Sequence, residues 1–262
     1  MSTPLRTLFD LTGRHALITG GSRGLGLQMA EALGEAGASL LITSRKAADL
    51  EASAARLRER GMTVDWMAAD TSDPLAIAQV GAWALEKRPH VDILLNNAGA
   101  AWGAPAEDHP LEAWDKVQNL NVRAVFLLSQ IIAKRSMIPQ RRGRIIMTAS
   151  VAGLGGNPKG HETVAYNTSK AAVIGLTRTL AAEWGEFGIT VNAIAPGWFP
   201  SKMTRGTFDK IGLEQLARAA PLGRVGDDDD LKGAVVLFAS EAGKHITGQV
   251  LAIDGGASVV GA

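Results

Sequence analysis

The chain has 262 residues, and its 27 Lys and Arg against 26 Asp and Glu leave a formal charge of +1. That balance provides no general electrostatic footprint for nucleic acid or for an anionic membrane. The absence of cysteine excludes a disulfide framework, thiolate metal ligands and a cysteine nucleophile, and it suits a reducing compartment.

The first eleven residues carry Arg6 and Asp10 with no apolar stretch behind a basic start, so they do not read as a signal peptide. No apolar run is long enough to span a bilayer, and a cytoplasmic protein without membrane or nucleic-acid partners is expected. Short β-branched runs predict strands at 15–19, 39–43, 63–67, 91–95, 144–148, 190–194 and 250–253. Windows with room for helices fall between them, at 24–36, 46–60, 74–87, 122–138, 165–184 and 231–239. This βαβ rhythm predicts a single α/β domain over 1–262, with a doubly wound, seven-stranded parallel sheet covered by helices on both faces. Ligands of such sheets bind at the carboxyl ends of the strands, and the irregular stretches 100–110, 152–164 and 197–212 are the candidate substrate loops.

Directly after the first strand stands Thr19-Gly20-Gly21-Ser22-Arg23-Gly24-Leu25-Gly26, running into helical sequence. Glycines there allow a tight turn and close approach of a pyrophosphate, and the helix N-terminus offers free N–H groups. A purely structural turn would use the same residues. The second strand ends in Thr43-Ser44-Arg45-Lys46, without the acidic residue that usually binds the ribose hydroxyls of NAD. Arg45, with Ser44 and Arg23, can instead bind the extra phosphate of NADP, so NADP(H) is favoured over NAD(H).

Further motifs follow in order: Asn96-Asn97-Ala98-Gly99 after the fourth strand, Asn121 in a helical window, Ser150 after the fifth strand, Tyr166-x-x-x-Lys170, and Pro196-Gly197 after the sixth. Together with the G-x-x-x-G-x-G spacing of Gly20, Gly24 and Gly26, they resemble the short-chain dehydrogenase/reductase family over almost the whole chain, and especially its 3-oxoacyl-thioester reductase and gluconate 5-dehydrogenase-like members. The resemblance implies a Rossmann fold and a catalytic set of Asn121, Ser150, Tyr166 and Lys170. It also implies cofactor contacts from Gly20, Ser22, Arg23, Gly24, Leu25, Gly26, Ser44, Arg45, Asp70, Thr71, Asn97, Ala98, Gly99, Tyr166, Lys170, Pro196, Gly197, Phe199 and Ser201, and a homotetramer.

Tyr166 and Lys170 are four residues apart, so a helix places them on one face. The ammonium is expected to lower the Tyr166 pKa, which suits a general acid for carbonyl reduction and a general base for alcohol oxidation. By resemblance, Lys170 also binds the nicotinamide ribose, Ser150 bonds the reacting oxygen and Asn121 holds a water in the proton path. Trp198, Phe199, Met203 and Phe208 are candidates for an apolar lid, with Trp102 from another loop. Between Ser150 and Tyr166 lies an enlarged loop that includes His161 and Glu162, able to reshape the substrate mouth.

The run Asp227-Asp228-Asp229-Asp230 reads as a helix start in water rather than a metal site, and no catalytic metal is expected. The expected function is NADP(H)-dependent interconversion of a ketone and a secondary alcohol. The substrate is either a 3-oxoacyl thioester, whose carrier would meet a basic patch from Arg123, Lys134, Arg135, Arg141 and Arg142, or a keto-sugar or polyol. The alternative from another class is a noncatalytic NADP-binding sensor or scaffold.

Overall fold

Within each strand, successive side chains point to opposite sides, and here both sides are apolar. In the first strand, Ala16 and Ile18 join one buried cluster while Leu17 joins a second; in the next, Leu40 and Ile42 face the first and Leu41 the other. A sheet with two apolar faces needs helices on both. The computed structural model describes residues 2–157 and 160–260 and shows that arrangement.

The strands are β1 His15–Thr19, β2 Ser39–Ser44, β3 Val64–Ala68, β4 Ile93–Asn96, β5 Gly143–Thr148, β6 Ile189–Pro196 and β7 Val250–Ile253. They form one parallel sheet in the order β3-β2-β1-β4-β5-β6-β7. The short helix α1 (Leu5–Phe9) precedes the sheet, and α2 (Gly24–Glu35), α3 (Ala47–Glu59) and α4 (Pro74–Lys87) connect its first four strands. Next comes a long helical stretch: α5 (Leu111–Gln118), a π turn at Asn119–Arg123, α6 (Ala124–Ile132), a second π turn at Ala133–Met137, and α7 (Ile138–Gln140). The helices α8 (Val164–Trp184), α9 (Arg205–Ile211), α10 (Leu213–Arg218) and α11 (Lys232–Ala239) complete the chain.

Met29, Leu33, Leu50, Leu57, Val235 and Phe238 cover one face of the sheet from α2, α3 and α11. Ile77, Val80, Leu128, Ile132, Val173 and Leu180 cover the other from α4, α6 and α8. Strand order reverses between β1 and β4, so a crevice opens beyond their carboxyl ends, where doubly wound sheets bind ligands. No helix among the described residues is long and apolar enough to cross a membrane.

All seven expected strands are present, within two residues at each end. The helical windows also hold helices, but α1, α5, α9 and α10 were not foreseen, and residues 205–218, read as part of a loop or left unassigned, are largely helical.

Candidate active site

The Gly-rich turn lies at the mouth of the crevice. Gly24 opens α2 with φ at +53°, a left-handed conformation that favours glycine. A side chain on Gly26 would put its Cβ 2.3 Å from both the Gly20 carbonyl oxygen and the Asn97 amide nitrogen, so the turn can close this tightly only around glycine. Asn97 holds the turn from the side: its Nδ2–H donates to the Thr19 carbonyl at 3.1 Å, and the N–H groups of Asn97 and Ala98 both donate to Thr19 Oγ1 at 3.0 Å. Asn97 and Ala98 therefore brace the crevice. Thr19, which sequence reading passed over as a strand-end residue, is the partner they share.

Ser22 is buried and its carbonyl accepts from Ser53 Oγ at 2.6 Å, which joins the turn to α3. Leu25 packs against the core beneath. Arg23 is exposed, with its guanidinium 3.9 Å from Asp49 in the first turn of α3. Ser201 approaches from the far side of the crevice, its Cβ 3.9 Å from where a Gly24 side chain would begin.

At the end of β2, Ser44 Oγ is buried without a hydrogen-bond partner beside the exposed Arg45. A hydroxyl left unsatisfied at a ligand crevice is suited to a ligand oxygen. Asp70, after β3, accepts from the N–H and Oγ–H of Ser72 at 3.0 and 2.8 Å. Burial pushes its carboxyl up, but the bonds from Ser72 and the nearby Arg45 charge prevail and hold it below its ordinary value. Thr71, next to it, is buried. The cradle of Gly24 and Gly26, the unpartnered Ser44 hydroxyl and the exposed Arg45 guanidinium fit a dinucleotide carrying an extra phosphate, with Gly20 to Gly26 at the pyrophosphate and Ser44 and Arg45 at the adenosine end.

The four catalytic candidates meet at the carboxyl ends of β4 and β5. Asn121 lies in the π turn between α5 and α6, a helical defect often found at functional sites. Its carboxamide is buried: Oδ1 accepts from the Ala100 N–H at 2.8 Å, while the two Nδ2 hydrogens donate to the Ala100 carbonyl and to Ser169 Oγ, both at 2.9 Å. The side chain thus pins the loop after β4 to α8, and Gly99 is held between Asn121 and Lys170.

Lys170 is buried, and its ammonium donates to the Thr148 carbonyl at 2.6 Å. Burial pulls its pKa down to about 8. The ammonium sits 5.5 Å from the centre of the Tyr166 ring, which confirms the shared face of α8. The expected lowering of the Tyr166 pKa is not found. Burial pushes the phenol up from its ordinary value, and the Ser150 hydroxyl beside it pulls the other way. Desolvation prevails because it disfavours the phenolate directly, while the same burial lowers the Lys170 pKa, so that its ammonium gives up its proton before the phenol does. Ser150 also accepts from the Ala152 N–H at 3.2 Å, which starts a short 3-10 turn and fixes the hydroxyl near Tyr166.

Beyond β6, Pro196 ends the strand, and the Gly197 N–H donates to the Ile253 carbonyl at 2.9 Å. The Ser201 hydroxyl is bonded to Thr204 Oγ1 at 2.9 Å, another partner that sequence reading missed. Phe199 does not form an exposed lid: its ring is buried in the core against Gly226. The Phe199 carbonyl accepts from Thr204 Oγ1 at 2.7 Å, which ties this turn to the start of α9. The Trp198 ring lies 6.5 Å from that of Phe208 and 5.4 Å from that of His161. Of the acidic run, Asp230 pairs with both guanidinium nitrogens of Arg224 at 2.5 and 2.7 Å, and Asp229 pairs with Lys232 at 2.8 Å.

The family described as "Enoyl-(Acyl carrier protein) reductase" matches residues 20–258. The rhamnolipids biosynthesis 3-oxoacyl-[acyl-carrier-protein] reductase of Pseudomonas aeruginosa is 40% identical over 95% of this chain and 97% of its own. Gluconate 5-dehydrogenase of Gluconobacter oxydans is 37% identical over 96% of this chain and 97% of its own. Among solved structures, a gluconate 5-dehydrogenase from Burkholderia cenocepacia in complex with NADP and tartrate superposes with a TM-score of 0.92, at 33% identity over 98% of this chain and all of the other.

Proposed function

This chain belongs to the short-chain dehydrogenase/reductase family and is an oxidoreductase, and we propose that it reduces a ketone to a secondary alcohol with NADPH, using Tyr166 as the proton donor. The observation that carries this reading is the meeting of Ser150, Tyr166 and Lys170 beside the crevice, with the unpartnered Ser44 hydroxyl and exposed Arg45 at its adenosine end. Bound there, the nicotinamide supplies the hydride. The Ser150 hydroxyl orients the substrate oxygen, and Tyr166 Oη–H donates the proton to it. Burial raises the Tyr166 pKa and keeps the proton on its hydroxyl, where it is available for donation. Lys170, anchored on Thr148, is placed to meet the nicotinamide ribose, and Asn121 fixes the Ala100 segment and α8 while its Oδ1 keeps a lone pair for a water in the proton path. NADP is preferred to NAD because Arg45 offers a bidentate cation where an acid would be needed for the ribose.

We read 1–262 as one domain carrying both cofactor and substrate sites, in a cytoplasmic homotetramer. An open groove of about 600 Å³ between α5–α6 and α8, lined in part by Val122, Phe126 and Leu176, supports self-association. The decisive experiment compares Tyr166→Phe and Arg45→Asp with the wild type by NADPH titration and by turnover on a confirmed ketone. Tyr166→Phe should bind NADPH normally and lose at least about a thousandfold in kcat, within the range of positioned acid catalysis. Arg45→Asp should weaken NADPH binding by about tenfold or more and spare NADH. Near-normal turnover by Tyr166→Phe would remove Tyr166 from the chemistry and sink the reading.

A further inference from the structure

In the first turn of α8, the residue after Tyr166 reaches back across the site with its amide. Asn167 Nδ2–H donates to the Ala152 carbonyl at 2.8 Å, in the short 3-10 turn Val151–Gly153 that follows Ser150. The N–H of the same Ala152 donates to Ser150 Oγ at 3.2 Å, and the Ser150 hydroxyl is the hydrogen-bonding neighbour of the Tyr166 phenol. These contacts close a ring that runs from Tyr166 through Asn167, Ala152 and Ser150 back to Tyr166. A side chain on Gly153 would put its Cβ 2.6 Å from the Lys170 carbonyl carbon, so the turn lies directly against the helix.

The Asn167 amide is held in this orientation by its other bonds. Its second Nδ2 hydrogen donates to Asn157 Oδ1 at 2.8 Å, and its Oδ1 accepts from Asn157 Nδ2–H at 3.0 Å and from Thr163 Oγ1–H at 2.8 Å. Both donors and both acceptor lone pairs of the amide are therefore used inside the protein. Turning the N–H away from Ala152 would break several bonds at once. The placement matters because the two hydroxyls that must meet one substrate oxygen come from different elements, Ser150 from the end of β5 and Tyr166 from α8. A misplacement of about 1 Å at a reacting centre can cost about a hundredfold in rate.

We propose that Asn167 is a positioning residue, whose amide clamps the turn after Ser150 to the helix that carries Tyr166 and so sets the Ser150 hydroxyl against the phenol and the substrate oxygen. The proposal rests on the ketone-reductase reading, and in it the Asn167 amide acts on the reaction only through Ser150. The Ser150 hydroxyl pulls the Tyr166 pKa down against burial, because its hydrogen bond favours the phenolate. A loosened turn weakens that pull and leaves the phenolate harder to form. Lys170, the cation 5.5 Å from the Tyr166 ring, is anchored on Thr148 of β5 and keeps its place when the turn moves.

Tyr166 is the one tyrosine of the chain, so tyrosinate ultraviolet absorbance during a pH titration of the cofactor-free, full-length protein reports that residue alone. Asn167→Leu, which is neutral and similar in size, should titrate at higher pH than the wild type, as should Ser150→Ala, with circular dichroism on the same samples to follow the fold. With NADPH and a confirmed ketone, Asn167→Leu should lose about 10- to 100-fold in kcat while NADPH affinity is unchanged. Added to Ser150→Ala it should cost nothing further, because the two residues act as a unit. Asn167→Ala carries the same test if the leucine variant does not fold. An unchanged Tyr166 titration, a wild-type kcat, or losses that multiply in the double variant overturn the clamp; turnover lost in Tyr166→Phe then still upholds the reductase reading. Titrations that move together, with no ketone turned over by the wild type, defeat that reading and leave the clamp standing.

Discussion

Lys170 is a buried ammonium that works against stability in the folded chain. Its pKa falls from 10.5 to about 8 because the ammonium is buried with a single carbonyl partner, Thr148, and no carboxylate. The unfolded chain therefore holds this proton more tightly than the folded one between pH 8 and 10.5. The cost is fully present below pH 8 and is relieved as pH rises through that window. A shift of this size corresponds to roughly 3 kcal/mol, and removing the group leaves the Thr148 carbonyl without its donor, which gives back about 1 kcal/mol. Lys170→Met should thus raise the cofactor-free protein's stability at pH 7 by about 2 kcal/mol while abolishing efficient turnover, and should remove a rise in stability between pH 8 and 10.5. Urea unfolding at pH 7 and pH 10 checks both; a variant less stable than wild type at pH 7 would refute the burial account. The register of Tyr166 and Lys170 was legible in the sequence because four-residue spacing on a helix is local. The engagement of Asn121 with Ala100 and Ser169 was not, because those partners are 21 and 48 residues away and only the folded topology joins them.

At the scale of elements, the Gly-rich turn is a junction between strands as well as the proposed phosphate cradle. Gly26→Ala would drive a methyl group against the backbone of Gly20, whose N–H is bonded to the Thr43 carbonyl, and against the amide of Asn97, which is bonded to the Thr19 carbonyl. Overpacking of this kind costs about 2–3 kcal/mol, a fall of roughly 5–10 °C in Tm for a chain of this size, and it should be accompanied by loss of NADPH binding. Calorimetry with and without NADPH measures both; a variant that melts normally and binds normally would show that the turn is looser than its geometry implies. The strands were readable because each is apolar on both faces. Helix α5 was missed because the π turn at Asn119–Arg123 interrupts the 3.6-residue period that would have linked it to α6. The helices α9 and α10 were missed for another reason: they are short and lie in the Gly197-to-Gly212 region and just beyond it, where tertiary packing around Trp198 and Leu216 supplies what local pattern does not.

For the whole molecule, the proposed assembly ties to function through the placement of the site. The helices that carry Asn121, Tyr166 and Lys170 toward the crevice present an open groove on their other side. On α8 that groove is lined by Ala172, Gly175, Leu176 and Thr179, at the i, i+3, i+4, i+7 spacing of a single helical stripe; across it stand Val122 and Phe126, the latter 37% exposed. A Cβ added at Gly175 would meet nothing within 4 Å, so the stripe is flat enough for another helix to approach closely. A two-fold axis through such a surface pairs it with itself, which closes one interface and leaves a dimer. A tetramer needs a second, separate surface, and the edge strand β7, with Leu251 exposed, is the candidate. Light scattering of the wild type should therefore give the mass of four chains, and Gly175→Arg, which blocks the groove without touching the core, should give the mass of two. Because the groove backs directly onto the π turn of Asn121 and the first half of α8, the dimer should also lose kcat more than it loses NADPH affinity. A wild-type monomer across a wide concentration range, or a Gly175→Arg tetramer, would remove this groove from the assembly.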